Sequence, residues 1–494
     1  MPEKLDRGIQ QLRRWAADHK NLLLPFVFLC VIYFLGILPI LQADRYYVDD
    51  LGRAYRGYAG WGYYSRYLTM ALSLLLHTGK YLTDISPLPQ LLAIPVMGAA
   101  AVICLCTLSE RDRFSLFHYA ALIPFALSPY FLQCLSYKYD APYMALSVLL
   151  SVFPLLFSRN RTWLYALISV FCTVCMCLTY QASAGIYPML VVALCLKRWI
   201  AGESFGKTAR FAALSAVSYV VGLVLFRSLI LRSADSYAST EMLPLAQMLP
   251  GAVKHYKNYV TVMISDLKAE WLLVSALICV GALCAVVMGS QRNKLLTLLL
   301  SVLLLGLMFL LAFGVYPFLT RPTHSPRCMY GLGIFLSIMG LLAADHGRIH
   351  LPKFGCLVLG WMFFVFCFTY GNALALQGEY DDYRMQLVID DLLERDLLDP
   401  DEPVRLRITG SAGYAPAIRN MPGDYQMLRR LVPVGFCDSS NWWGGYEFEA
   451  YYGLDKAIKI TSSTDYPWDE LPTVADNMLH TIRAGDGLIW IELR

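Results

Sequence analysis

The chain has 494 residues, of which 57% are hydrophobic and 16% are charged, and its formal net charge is +4. This composition excludes an ordinary soluble domain, and no nucleic-acid partner is predicted. The 14 cysteines lie mostly in apolar runs without histidine partners at zinc spacing, so neither a cysteine metal site nor a disulfide framework is predicted.

Long apolar runs recur along the chain, and a membrane-spanning helix needs roughly 20 mostly apolar residues. No small-residue cleavage pattern follows the first run, so no cleavable signal peptide is predicted. The sequence predicts an all-α polytopic membrane protein with about 11 spans, which are Leu22–Leu41, Pro87–Leu108, Phe114–Cys134, Ala141–Phe157, Trp163–Tyr180, Ala182–Leu196, Phe211–Leu231, Trp271–Ser290, Leu295–Tyr316, Arg327–Ala344 and Phe354–Tyr370.

The loops between these spans are alternately rich and poor in basic residues, which orients the chain by the positive-inside rule. The amphipathic amino-terminal segment, residues 1–20, and every second loop are predicted to be cytoplasmic. An odd number of spans then places residues 372–494 on the outer side. The basic residues behind this prediction are Lys4, Arg7, Arg13, Arg14, Lys20, Arg111, Arg113, Arg159, Arg161, Lys197, Arg198, Lys207, Arg210, Arg292, Lys294, Arg348 and Lys353.

One region is ambiguous, because 35 uncharged residues separate Arg161 from Lys197. A single helix of that length would extend ~52 Å, far beyond a hydrocarbon core of ~30 Å. Two short helices that turn near Tyr180–Gly185 are therefore predicted.

Two outer loops are long. The first, residues 42–86, contains the short apolar stretch Tyr67–Gly79, which predicts an interfacial helix. The second, residues 232–270, contains a helix-like stretch around Leu245–Ile264.

The carboxy-terminal segment changes character after the membrane domain, residues 21–371. Helical spacing in Glu379–Leu398 and strand-like patterns in Val404–Thr409 and Gly487–Leu493 predict a small extracytoplasmic α/β domain over residues 372–494. Within it, Asn441–Tyr446 is either a stacking platform for a glycan or core packing. Asp381-Asp382 is interpreted as a solvated helix face.

The first outer loop carries acids, arginines and aromatic residues in one short stretch. Arg53 follows Asp49 and Asp50 at helical spacing and can pair with either acid. One interpretation is that an aspartate only caps the following helix. The other is a sugar site, whose carboxylates accept sugar hydroxyls and whose aromatic rings stack on the sugar. The surrounding residues are Asp44, Arg45, Arg56, Trp61 and Arg66.

A second constellation, Tyr137, Lys138 and Asp140, precedes the fourth span. Asp140 before Ala-Pro fits a helix N-cap, or a carboxylate of a functional site. Lys138 either extends along the surface to the headgroup layer or binds a lipid phosphate. Gln181, near the turn between two spans, is interpreted as an interhelical hydrogen-bonding residue.

Arg321 and Arg327 form a third cluster, on the outer side and against the positive-inside trend. A phosphate explains them, because the guanidinium fork matches its oxygens. Contact with lipid headgroups without further function is the alternative. His324 and His77 are not interpreted as catalytic. The chain has no Gly-rich phosphate loop in strand–helix context, so no nucleotide is predicted as the direct substrate.

Taken together, several short motifs resemble the GtrII-type glucosyltransferase family of bacterial membrane proteins. The resemblance covers roughly residues 20–370, and the combined order of the motifs is more specific than any one of them. The motifs are Tyr46–Arg53, Gly57–Trp61, Leu82–Leu88, Leu127–Phe131, Leu135–Asp140, Thr179–Ser183 and Pro326–Arg327.

The resemblance implies a GT-C type glycosyltransferase in the bacterial cytoplasmic membrane. Such enzymes take a sugar, typically glucose, from a polyprenyl phosphate and modify a surface polysaccharide such as O-antigen. It also implies that Asp49 or Asp50, in the first outer loop, is the catalytic base. The expected partners are this donor, a polysaccharide or lipid-linked glycan acceptor, and membrane lipids. No cofactor is required, although a divalent ion (Mg²⁺ or Mn²⁺) can assist.

The predicted reaction is a one-step displacement with inversion. Asp50 or Asp49 accepts the proton of the acceptor hydroxyl, and Asp140 orients the acceptor or the donor sugar. The phosphate of the donor is held by the three cations Lys138, Arg321 and Arg327. The predicted positioning or sugar-binding residues are Arg53, Arg66, Trp61, Tyr137 and Gln181.

Two other functions remain open. A lipid-linked oligosaccharide flippase would also have many spans and outer cations, but the charged midplane helices and repeat symmetry of transporters are not found in the sequence. An O-antigen polymerase or ligase would use outer arginines on a lipid pyrophosphate. The short acidic first loop favours the transferase over the polymerase or ligase.

Overall fold

The computed structural model describes residues 20–109, 111, 113–159, 161–231, 241–346, 349–421, 425–441, 443, 445 and 447–494. Several predictions fall outside the described residues: the amphipathic segment up to residue 19, part of the second outer loop, and alternate residues of the Asn441–Tyr446 stretch.

The described helices and strands are, in chain order, α1 (Lys20–Ala43), α2 (Asp50–Arg56), α3 (Tyr67–Leu76), α4 (Leu88–Leu108), α5 (Leu116–Ala121), α6 (Ile123–Leu127), α7 (Pro129–Ser136), α8 (Ala141–Val152), α9 (Thr162–Thr179), α10 (Ile186–Ile200), α11 (Phe205–Leu225), α12 (Met248–Asp266), α13 (Ala269–Gly289), α14 (Lys294–Leu311), α15 (Gly331–His346), α16 (Leu351–Leu393), β1 (Val404–Thr409), α17 (Pro416–Asn420), α18 (Gln426–Leu431), β2 (Ile458–Ile460), β3 (Thr473–Asp476), β4 (His480–Gly485) and β5 (Leu488–Leu493).

The chain forms two compact units. The membrane unit comprises residues up to 38, 60–78 and 85–368. The C-terminal unit comprises residues 39–59, 79–84 and 369–494, so it includes two segments of the first outer loop.

Among the described residues, 8 helices are long and apolar enough to cross a membrane, or up to 9 if the bent pair α5–α6 and α7 is one span. These nine coincide with nine predicted spans. The shorter apolar helices Ala141–Phe157 and Gly331–His346 fall at the positions of the other two. The protein is therefore a helical membrane protein, and the count of about 11 spans stays a prediction.

The membrane unit is built from helices that pack along one another, notably α13 with α15, α4 with α8, and α9 with α11. Its outer helices keep apolar faces: Val220, Leu273 and Leu303 are 54%, 72% and 67% exposed. Monomeric soluble proteins rarely expose large contiguous apolar patches. These faces are therefore suited to contact with lipid.

The turn predicted near Tyr180–Gly185 is confirmed. Helix α9 ends at Thr179, Tyr180 is extended, and one 3₁₀ turn covers Gln181–Gly185 before α10 begins. Gly185 lies against the end of α14, since an added Cβ would come within 1.8 Å of the carbonyl oxygen of Leu311. Close backbone packing therefore fixes the turn that carries Gln181.

Replacing Gly185 with alanine is expected to destabilise the membrane unit by about 1–3 kcal/mol or more, because the new methyl group meets backbone rather than a movable side chain. Thermal unfolding of the purified protein in detergent measures the loss. Gly306→Ala is the matched control, because Gly306 lies within α14 and has nothing within 4 Å of an added Cβ. Equal unfolding temperatures for the two variants would contradict this packing.

The C-terminal unit contains a five-stranded mixed sheet in the order β2-β1-β5-β4-β3. β1 runs parallel to β2 and β5, whereas β4 is antiparallel to both β5 and β3. The two predicted strands are confirmed as β1 and β5, and the other three were not predicted. The last turns of α16 pack on the sheet through the buried residues Met385, Val388, Ile389 and Leu392.

The helical stretch predicted at Glu379–Leu398 is not a separate element. It is the end of α16, which continues without a break from Leu351 to Leu393. The hydropathy of the sequence falls after Tyr370, but a change from apolar to polar residues does not interrupt the backbone hydrogen bonds of a helix.

Candidate functional site

In the membrane unit, the predicted site residues other than Arg321 gather into one polar cluster. Its members come from four short segments at helix ends: Trp61–Arg66, Tyr137–Asp140, Tyr180–Gln181 and Ser325–Arg327. We call this group the polar cluster. The following contacts define it.

Asp140 is held by a tryptophan rather than used as a cap. It occupies the N-cap position of α8, yet its side chain makes no capping hydrogen bond. Instead, Trp61 Nε1 donates to Asp140 Oδ1 at 2.6 Å. The Trp61 ring is fully buried and meets Tyr143 edge-on, with 5.4 Å between the ring centroids. The carboxylate therefore has a fixed orientation that capping of α8 does not explain.

Arg66 is a half-buried cation with neutral partners. Its Nε donates to Gln181 Oε1 at 3.3 Å, and its guanidinium lies over the rings of Tyr180 and Tyr64, at 4.6 and 5.1 Å from their centroids. Gln181 in turn donates to the Tyr64 carbonyl at 3.0 Å. Among the residues with described positions, no carboxylate forms an ion pair with Arg66. Its positive charge is therefore available to an anion.

Arg327 joins the cluster through both its backbone and its side chain. Its Nη1 donates to the Tyr137 hydroxyl at 2.5 Å, and its backbone N–H donates to Gln133 Oε1 at 2.7 Å. The Tyr180 hydroxyl donates to the Arg327 carbonyl at 3.3 Å. Tyr180 therefore touches both arginines, which places Arg66 and Arg327 on one network.

The other two predicted phosphate-binding residues differ from each other. Lys138, directly after Tyr137, is only 4% exposed. A lysine that extends to the headgroup layer keeps its amine at the surface, so this alternative does not describe Lys138. Arg321 is exposed, and within the described part of the chain its side chain contacts no member of the polar cluster.

In the C-terminal unit, the two adjacent aspartates have different surroundings. Asp49 Oδ2 pairs with Arg53 at 2.9 Å, one of the two pairings that the spacing allowed. Asp49 is at the N-cap position of α2 without a side-chain capping bond. Asp50 is fully buried, and its Oδ2 accepts a hydrogen bond from the backbone N–H of Tyr47 at 3.2 Å.

An ion pair that the sequence did not predict lies beside this segment. Arg45 binds Asp381, whose side chain is fully buried. The interpretation of Asp381 as part of a solvated face is therefore wrong, whereas Asp382 is exposed. Glu447 Oε2 lies 4.0 Å from the same guanidinium. Arg45 and Asp381 are 336 positions apart, so no local spacing could have revealed the pair.

Burial raises the pKa of Glu447 to about 7, with the nearby Asp381 and Asp382 acting in the same direction and Arg45 against it. The folded protein then binds more protons than the unfolded chain between pH 4.5, the ordinary value, and about 7. Stability is greatest below this window and falls as pH rises through it.

The expected slope is up to about 1.4 kcal/mol of unfolding free energy per pH unit. Glu447→Gln is expected to flatten the dependence between pH 4.5 and about 7, as measured by unfolding in detergent. Glu394→Gln is the control, because Glu394 is 74% exposed and should keep the wild-type slope. A wild-type slope in Glu447→Gln would contradict the assignment.

Two cavities, of about 480 and 330 Å³, lie elsewhere in the membrane unit. They are lined by basic residues of the loops predicted to be cytoplasmic: Arg111, Arg159, Lys197 and Arg198. Both cavities are lined in part by Cys106, which lies near the C-terminal end of α4. Gln90 lies near the other end of α4, and its amide donates a hydrogen bond to the Leu135 carbonyl, close to the Tyr137–Asp140 segment. At 1.5 Å per residue, about 24 Å of helix separates these two ends. These cavities are therefore distinct from the polar cluster.

Among the described residues, no group of three or more His, Cys, Asp or Glu side chains is arranged to hold a metal ion. The possible assistance of a divalent ion stays a prediction.

The fold and the polar cluster define a polytopic membrane protein with a site built from arginines, a fixed aspartate and aromatic rings. The chain belongs to the glucosyl transferase GtrII family, because the sequence model of that family matches residues 38–338, more than half of its length. The resemblance seen in the motifs is thereby confirmed. The matched residues include Asp49, Asp50, Asp140 and Arg327.

The chain is also similar to the uncharacterized 55.3 kDa protein in the gtrB 5′ region of Salmonella phage P22, with 27% identity over 197 residues. This similarity covers 40% of each chain. No solved structure matches the chain.

Proposed function

We propose that this glycosyltransferase moves a hexose, most simply glucose, from a polyprenyl-phosphate donor to a surface polysaccharide or related glycan. The reaction inverts the anomeric centre and takes place at the outer face of the bacterial cytoplasmic membrane. The amino terminus is cytoplasmic and residues 372–494 are extracytoplasmic in this proposal. The membership of the family supports glucose, and the apolar helices support a donor that is embedded in lipid.

The observation that carries the proposal is the set of partners of Arg66. Among the described residues, this half-buried guanidinium contacts an amide oxygen and two aromatic rings but pairs with no carboxylate, so it retains a strong attraction for an anion. A lipid phosphate supplies that anion. We therefore assign Arg66 to the donor phosphate, together with Lys138 and Arg327, rather than to positioning the acids, and we give the exposed Arg321 a minor role.

The aromatic residues of the cluster hold the charged groups in place. Trp61 is fully buried, and its indole N–H is bonded to Asp140, so we assign it to orienting Asp140 rather than to stacking on a sugar. Tyr137 and Gln181 orient Arg327 and Arg66 through the hydrogen bonds described above. Asp140 then orients a sugar hydroxyl, and Arg53 orients Asp49.

The proposed step forms one bond and breaks one. The acceptor hydroxyl oxygen attacks the anomeric carbon from the side opposite the phosphate, and its proton passes to the carboxylate of Asp50 or Asp49. The bond between the anomeric carbon and the phosphate oxygen breaks, and its electron pair leaves with polyprenyl phosphate. The cations stabilise the negative charge that grows on this leaving group.

The experiment uses the full-length protein in proteoliposomes with synthetic polyprenyl-phosphate [¹⁴C]glucose and purified bacterial surface polysaccharide. The expected result is glucose covalently bound to the polysaccharide, with release of polyprenyl phosphate. Radiolabelled donor that only crosses the bilayer would show a flippase instead. Polysaccharide that lengthens without label when an unlabelled glycan linked to a lipid pyrophosphate is also supplied would show a polymerase or ligase.

A further inference from the structure

The buried pair of Arg45 and Asp381 in the C-terminal unit has no role in the reaction proposed above. Arg45 lies four residues before Asp49, and its side chain is 9% exposed. Asp381 receives three donors: Arg45 and the backbone N–H of Gly435, at 2.8 Å, on one oxygen, and Gln377 Nε2, at 2.9 Å, on the other. The guanidinium thus binds a carboxylate that is itself fixed.

The site for Arg45 is shaped to the guanidinium by two glycines. An added Cβ on Gly378 would lie 2.6 Å from Arg45 Nη1, and one on Gly435 would lie 2.7 Å from Nη2. Both distances are too short for a side chain to fit without a shift. The backbone of α16 and the loop at Gly435 therefore surround the cation closely.

Further contacts tie the same segment to the C-terminal unit. The Tyr47 hydroxyl donates to the Leu431 carbonyl at 2.7 Å, and the Tyr46 hydroxyl donates to Asp84 at 2.7 Å. The backbone N–H of Tyr47 binds Asp50, as described above. Residues 45 to 47 are thus each held by a contact of their own side chain, and the backbone of Tyr47 contacts the carboxylate of Asp50.

A buried ion pair is a poor device for stability, because the desolvation of two charges offsets most of their attraction. The pair contributes more to the position of the chain than to its stability, because a guanidinium held in a close-fitting site restricts the backbone that carries it. Catalysis is sensitive to such placement, and a shift of 1 Å costs about 10²-fold in rate.

We propose that Arg45 and Asp381 are positioning residues, through which the C-terminal unit sets the place of the catalytic aspartate. This inference rests on the proposed function, because it assumes that Asp49 or Asp50 is the base. It assigns to residues 372–494 a role in the transfer reaction, although the GtrII family match ends at residue 338.

The test compares Asp381→Asn with Asp391→Asn in the full-length enzyme. Asp391 lies on the same helix and bonds to Arg395 and His480, both at 2.7 Å, and none of its described contacts involves residues 45–53. We expect Asp381→Asn to lower kcat by about 10²-fold with the KM for the donor within twofold, whereas Asp391→Asn keeps the wild-type kcat per folded molecule.

Combination with the base variant separates positioning from general damage. If Asp381 acts only through the base, then Asp381→Asn has no further effect on the residual kcat in the Asp50→Asn or Asp49→Asn background, whichever shows the larger loss. An equal further loss in that background overturns the inference. Full activity of Asp381→Asn alone also overturns it, while the proposed function stands. Full activity of both base variants overturns the assignment of the base and with it this inference, whereas the absence of glucose transfer by the wild-type enzyme overturns the proposed function itself.

Arg45→Lys keeps the test decisive if Asp381→Asn does not fold. Lysine retains the charge but not the fork, so kcat is expected to fall by ~10-fold in a folded protein. Hydrogen exchange of amides 46–53 supplies a readout independent of activity. Faster exchange in the Arg45 or Asp381 variant than in Asp391→Asn supports the inference, and unchanged exchange contradicts it.

Discussion

Asp50→Asn is expected to lower the transfer rate by ~10²–10⁴, the range for loss of a general base. Asparagine keeps the shape of the side chain, and its neutral amide cannot accept the proton of the acceptor hydroxyl. We expect a smaller loss for Asp49→Asn, because Asp49 Oδ2 is already engaged by Arg53 at 2.9 Å. Initial rates with the radiolabelled donor measure both variants.

Asp390→Asn is the matched control for these variants. Asp390 is an exposed carboxylate on α16 of the same unit, and its replacement should leave the rate unchanged. Retention of full activity by both Asp49→Asn and Asp50→Asn would exclude the first outer loop as the source of the base. If Asp140→Asn alone were inactive, the base would instead be Asp140.

Arg66→Gln is expected to weaken donor binding by about 10–100-fold, because a charge-assisted hydrogen bond contributes about 1.5–3 kcal/mol. The KM for the donor should rise, and product inhibition by polyprenyl phosphate should weaken by a similar factor. Arg66→Lys should lose less, since it keeps the charge without the fork. Inhibition constants for polyprenyl phosphate measure the effect without requiring turnover.

Arg321→Gln provides the internal comparison. Arg321 is exposed and is not held by the polar cluster within the described part of the chain, so its loss should change donor binding less than threefold, as expected for a solvent-screened cation. Equal effects of Arg66→Gln and Arg321→Gln would show that phosphate recognition does not depend on the fixed geometry around Arg66.

Much of the membrane unit could be predicted from the sequence, because its physics is local. Apolar runs of sufficient length specify spans, and the length of the uncharged stretch between Arg161 and Lys197 required a turn, which the structure places at Tyr180–Gly185. Alternation likewise identified β1. In each case, the relevant forces act between residues that are close in the sequence.

The rest of the fold depends on contacts that local patterns do not encode. The strands β2 and β3 have only three and four residues, too short to show alternation. The continuation of α16 beyond Tyr370 depends on the sheet that covers its end. The two segments of the first outer loop that belong to the C-terminal unit are far in sequence from residues 369–494.

The candidate site shows the same division. The residue types and the Asp49–Arg53 pairing were accessible from spacing, since one helical turn separates them. The bond between Trp61 and Asp140 joins residues 79 positions apart, and the Asp140 side chain makes no N-cap hydrogen bond, which was one of its two predicted roles. The absence of a paired carboxylate at Arg66, among the described residues, could not be predicted either, because its partners come from segments that are distant in the sequence.

The strand order of the sheet bears on how the protein is made. β5 is the last of the five strands to leave the ribosome, yet it lies between β1 and β4 in the middle of the sheet. Leu406 and Ile408 of β1 can therefore pair with Ile489 and Ile491 only after β5 has been synthesised. The interval is longer for Arg45, because its partner Asp381 follows 336 positions later in the chain. The sheet can therefore be completed only after β5 has been synthesised, and the nascent chain must keep these partners soluble until then.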